Sequence, residues 1–85
     1  MAEREHFDYR PDVLEQLAIH GVRPTDATPP DLVHEFVSDL YRYEIRRLRD
    51  RLLRKEFPKA EYFGRVVALR NLYRVIARRA HQWLR

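Results

Sequence analysis

The chain of 85 residues contains no cysteine, which removes disulfides, thiol catalysis and thiolate metal sites together. Its two glycines, Gly21 and Gly64, are too few to build a phosphate-cradling loop. Met1-Ala2-Glu3-Arg4-Glu5-His6 lacks the apolar stretch of a secretory signal. Apolar runs are too broken by charge to span a bilayer. Strand signals are as scarce, with no sustained alternation of apolar and polar residues and no Asn-Gly or Asp-Gly turn. Serine–histidine–aspartate arrangements, glycine fingerprints and paired carboxylates are all missing. The sequence therefore predicts neither an enzyme nor a cofactor.

What is present is helical. Hydrophobic residues make up 45% of the chain and charged ones 35%, a balance that suits one small folded domain over 1–85 rather than a disordered tail. Pro11, Asp12, Val13, Leu14, Leu17 and Ala18 followed by Gly21 predict a short helix over about 11–20 with a left-handed stop. Residues 1–10 are expected to be extended or poorly ordered. Thr28-Pro29-Pro30-Asp31 reads as a capped helix start. Val33, Val37, Leu40, Tyr41, Ile45, Leu48 and Leu52 then fall on one side of a helix over about 29–56. Phe57-Pro58 interrupts it.

Tyr62, Val66, Leu69, Tyr73, Ile76, Ala80 and Trp83 follow at alternating spacings of four and three, predicting a third helix over about 59–84 with a heptad seam. The fold class expected is all-α: a long antiparallel helical hairpin plus the short N-terminal helix. A single long helix kinked at Pro58 competes, but it would bury neither seam.

Charge is divided unevenly. Residues 1–41 hold three arginines against nine acids, and residues 42–85 hold fourteen basic side chains against four. Fifteen of the seventeen basic residues are Arg, a bias that forked recognition of anions and a GC-rich coding sequence would produce alike. In an antiparallel register Asp31, Glu35 and Asp39 would lie beside Arg74, Arg78, Arg79 and Arg85, leaving uncompensated positive charge at the turn. A helix of about nine residues reaches only about 14 Å, so it would leave the turn end half covered.

The candidate partner-binding residues are therefore Leu48, Leu52, Phe57, Tyr62 and Val66, with Arg47, Arg54 and Arg65 as a basic rim. Glu44, in the seam, is expected to make an interhelical polar contact near Arg70 rather than act as a catalytic acid. His6, His20, His34 and His81 lack the spacing and carboxylate support of a metal centre, so no metal is expected; the register does place His34 opposite His81. Gly64 inside a helix points either to a later helix start or to close packing on its outer side. Trp83 is expected in the core.

The function expected is a non-enzymatic helical interaction module, self-associating or docking on a larger protein. Non-specific nucleic-acid binding through the same arginines is the alternative. A membrane partner ranks below both, and a cytoplasmic location is expected.

Overall fold

The computed structural model describes residues 5–85. The fold is all-α: α1 spans Pro11–Ile19, α2 spans Pro30–Leu53 and α3 spans Tyr62–Leu72, with short 3-10 turns at Lys59–Glu61, Arg74–Ala77 and Ala80–Trp83. Among the described residues the one strand-like pairing is an isolated bridge between Tyr9 and Leu84. None of these helices is long and apolar enough to cross a membrane.

Local chemistry explains most boundaries. Gly21 takes a φ of 74° beyond α1. The Val22 amide then donates to the Leu17 carbonyl and the Gly21 amide to that of Ala18, both at 3.0 Å, closing a Schellman motif. The same motif ends α2 at Lys55, where Glu56 N–H reaches the Arg51 carbonyl (3.0 Å) and Lys55 N–H that of Leu52 (2.9 Å). α2 therefore stops at Leu53, three residues before the expected Glu56. At its other end Thr28 does not cap the helix. Pro29 precedes a proline and stays extended (ψ 130°), so Pro30 is the first helical residue. The Thr28 hydroxyl instead accepts the Thr25 amide at 3.0 Å.

The third helix differs most from expectation. It ends at Leu72 instead of running to residue 84, although no glycine or proline follows to stop it. In a continuous helix Val75 would point away from the seam; in the folded chain Val75 and Trp83 are both fully buried. Side chains satisfy the carbonyls that the break releases. His20 Nε2–H donates to the Leu72 carbonyl (3.0 Å), His34 Nε2–H to those of Ile76 (3.1 Å) and Arg78 (3.0 Å), and the Trp83 indole N–H to that of Val75 (3.0 Å). Trp83 is a core residue, as expected, but it arrives there on a 3-10 turn.

The core gathers at one end. Tyr9, Val13, Leu17, Val33, Val37, Tyr73, Val75 and Trp83 form the buried cluster, with Phe7, Leu40, Tyr41 and Ile76 packed against it. The N-terminal segment is extended and fastened: Phe7 N–H donates to the Asp26 carbonyl (2.7 Å), Arg10 N–H to that of Trp83 (2.8 Å), and Arg85 N–H to that of Asp8 (2.9 Å). Residues 1–4 lie outside the described residues.

Contacts of the returning chain fall on successively earlier residues. Arg65 covers Phe57, Leu69 and Leu72 line a groove with Glu44 and Leu48, Tyr73 meets Tyr41, and Trp83 meets His34. The molecule measures 57 × 22 × 18 Å. Its radius of gyration of 15.9 Å exceeds the value of about 12 Å for a compact chain of this length.

Candidate functional site

From residue 42 to residue 72 only Leu48 and Phe57 are buried. Together with residues 54–61, the second half of α2 and α3 form a thin two-helix arm. Phe57 folds back under the guanidinium groups of Arg65, 4.2 Å from the ring centroid, and Arg51, at 5.6 Å. These are cation–π distances, and the long Arg stems supply the apolar cover that a third helix would otherwise give. Arg65 Nε is sealed in this stack without a hydrogen-bond partner, while its Nη2 reaches Glu61 at 3.1 Å.

Glu56 ties off the end of α2. Arg54 Nε donates to it at 2.9 Å and Arg51 Nε at 3.2 Å, and the hydrogen bond from Arg54 leads in holding its pKa below the usual carboxylate value.

Between α2 and α3 lies an open groove of about 550 Å³. Leu48, Ala68, Leu69 and Leu72 form its apolar wall, and Arg47, Arg51, Arg65 and Glu44 its polar edge. A second hollow, lined by Leu52, Leu53, Phe57 and Pro58 with Lys55, Glu56 and Lys59, sits at the turn. Around both, residues 42–73 carry ten basic side chains and four acids, a net of +6. Among the described residues Arg46, Arg47, Arg49, Lys55, Lys59 and Arg70 have no ion-pair partner.

The expected site residues are thus divided. Leu48 and Phe57 are buried within the chain, and Leu52, Tyr62 and Val66 are half-buried. Arg47 and Arg65 share the groove; Arg54 lies outside it, engaged with Glu56. Arg51 belongs to the groove although it was not among the expected rim residues; seven residues after Glu44 and three after Leu48, it shares their helix face. The large exposed side chains of the arm are Tyr43, Leu53, Phe63 and Leu72, of which Phe63 is 77% exposed. Their signal was an apolar residue off the seam, visible in the sequence but not in the heptad pattern.

Among the described residues no hydrogen bond or ion pair joins Glu44 to Arg70; Glu44 lines the groove, and its charge acts on Tyr73. Burial first, then the nearby Glu44 carboxylate, push the Tyr73 hydroxyl up to about 12. Arg70 is exposed. Gly64 falls in the first turn of α3, and a Cβ there would meet nothing within 4 Å, so no close packing within the chain accounts for it.

The expected neutralisation at the core end is also largely unmade. Of Arg74, Arg78, Arg79 and Arg85, Arg78 alone pairs with an acid among the described residues, reaching Asp12 at 2.8 Å and lowering its pKa through that hydrogen bond first. Asp39 pairs instead with Arg42 on its own helix. The early end of α3 causes this, since Arg74, Arg79 and Arg85 no longer lie on a helix facing α2.

His34 and His81 are not brought together. His34 is occupied by backbone carbonyls and the Trp83 ring (5.1 Å), while His81 is exposed. No group of three metal-ligating side chains occurs among the described residues. No family model, curated protein or solved structure matches this chain.

Proposed function

We propose that the chain is a non-enzymatic interaction module whose arm docks an acidic, amphipathic helix of a protein partner in the groove between α2 and α3. The observation that carries this reading is the division of the molecule. A buried cluster stabilises one end, and the other projects a +6 arm whose groove, walled by Leu48, Ala68, Leu69 and the exposed Leu72, is edged by Arg47, Arg51 and Arg65. Apolar floor and basic rim together favour a partner with leucine-type residues on one face and acids flanking them. Two arms meeting each other would set like charge against like, which disfavours self-association at this surface.

The test uses a labelled peptide with Leu at heptad positions a and d and Glu elsewhere. Fluorescence anisotropy with the full chain should show saturable binding that Arg47→Glu weakens about tenfold and Leu72→Ser also reduces. Equal binding of the peptide with Lys in place of Glu would sink the reading.

The unpaired Arg46, Arg47, Arg49 and Arg70 favour one second reading, non-specific nucleic-acid binding. It expects affinity for duplex DNA that falls steeply with salt and drops when Arg46, Arg47, Arg49 and Arg70 are all changed to Ala.

A further inference from the structure

The face of α2 turned away from α3 has no partner within the chain. Leu32, Phe36 and Tyr43 stand there 62%, 55% and 61% exposed. At 100° per residue they form one stripe along the first two thirds of the helix. Such a row, with two of its three members aromatic, exceeds the scattered apolar residues that any surface carries.

Beside the stripe runs a second row, Glu35, Asp39, Arg42 and Arg46, spaced four, three and four residues apart and exposed throughout. Its signs read minus, minus, plus, plus. Turned end for end, the row is its own complement. Two copies of α2 laid side by side in opposite directions, related by a two-fold axis between residues 40 and 41, bring Glu35 of each chain to Arg46 of the other. Asp39 of each likewise meets Arg42 of the other. In that arrangement the same flank of each helix meets its equivalent, as a two-fold interface requires. Phe36 then lies next to the other chain's Tyr43, offset by about 3 Å along the axis. Among the described residues Glu35 and Arg46 have no ion-pair partner of their own, and Asp39 and Arg42 pair only within the helix.

We infer that this outer face of α2 is a homodimer interface, occupied by a second copy of the chain in the opposite direction. A second copy is favoured because the charge row is self-complementary; an unrelated partner would have to reproduce that palindrome. The surface is separate from the groove between α2 and α3, so the dimer leaves both arms free to dock acidic partners.

Sedimentation equilibrium of the full chain across a concentration series at low salt tests this. The wild type should dimerise reversibly. Each contact occurs twice in a two-fold interface, so Glu35→Arg should weaken the dimer about tenfold. Arg46→Glu alone should do the same, and E35R with R46E should restore it, because the exchanged charges again oppose. Both residues are exposed, and circular dichroism should show unchanged helicity. A wild type that stays monomeric throughout, or a dimer indifferent to E35R, overturns the inference, as does a double variant without recovery. Leu72→Ser, in the groove wall, should leave the dimer intact while weakening the acidic peptide, which separates failure here from failure of the groove reading.

Discussion

Lys55 holds a backbone conformation that suits it poorly. Its φ of 60° places it in the left-handed region, which costs a side-chain-bearing residue about 1 kcal/mol and glycine almost nothing. The Schellman motif that ends α2 requires that conformation, and at the end of α1 Gly21 meets the same demand without strain. Lys55→Gly should therefore stabilise the chain by about 1 kcal/mol, raising the thermal midpoint by roughly 4–8 °C for a domain of this size. A melt followed by circular dichroism checks this; an unchanged or lower midpoint would mean that the Lys55 side chain contributes more than its strain costs. Tyr73 sets a second expectation at this scale. Its folded-state value of about 12 lies above the ordinary 10.0, so the folded chain keeps its proton after the unfolded chain has lost it. The associated stability is whole below pH 10 and declines as pH rises towards 12. Urea midpoints across that window should fall, and less so in Tyr73→Phe. Tyr9, also raised by burial, should keep part of the slope in the variant.

At the scale of elements, the helices follow punctuation and the exception follows packing. Pro11, Gly21, the double proline and Phe57-Pro58 were all legible, because each acts through φ, ψ or a missing N–H within a residue or two of itself. The end of α3 was not legible for the opposite reason. Nothing near Leu72 forbids another helical turn; Val75 and Trp83 compete to be buried, and His20, His34 and the Trp83 indole supply donors from 8 to 52 residues away. Heptad spacing up to Tyr73 found the right face, and spacing beyond it found the right core residue on the wrong element. The candidate site divides the same way. An arm too long for α1 to cover follows from helix lengths alone. Which arginines line the groove depends on Phe57 folding back under Arg51 and Arg65, a contact that sequence spacing does not encode. Gly64 gives an element-scale prediction. With open space around its missing Cβ and a φ outside the left-handed region, Gly64→Ala should stabilise α3 by about 0.5–1 kcal/mol in a denaturant titration. A loss of stability would mean that the first turn of α3 needs glycine's freedom.

For the whole molecule, the consequence is uneven stability. The core end joins α1, α2, the N-terminal segment and the C-terminal turns through one buried cluster, so opening any part of it exposes Trp83, Tyr73 and Tyr9 together. The arm has only Leu48 and Phe57 buried; Leu52, Tyr62, Val66 and Leu69 are half-buried, and Tyr43, Leu53, Phe63 and Leu72 are exposed. Local opening free energies track buried contacts, so two populations of amide are expected in native-state hydrogen exchange. Amides of Val13, Leu17, Val37 and Val75 should exchange only through global unfolding, with a full dependence on denaturant. Amides of residues 48–52 and 66–70 should exchange faster through an opening with a small denaturant slope. Phe57→Ala should widen the gap by speeding the arm while leaving the core end near its wild-type rates, because the two share few buried neighbours. Uniform protection along α2 would show instead that its 24 residues transmit the stability of the core end through the helix, and the arm would then be a rigid extension of that core. Acidic peptide bound in the groove should slow the arm's fast population and leave the slow one alone, since every residue that lines the groove belongs to the arm.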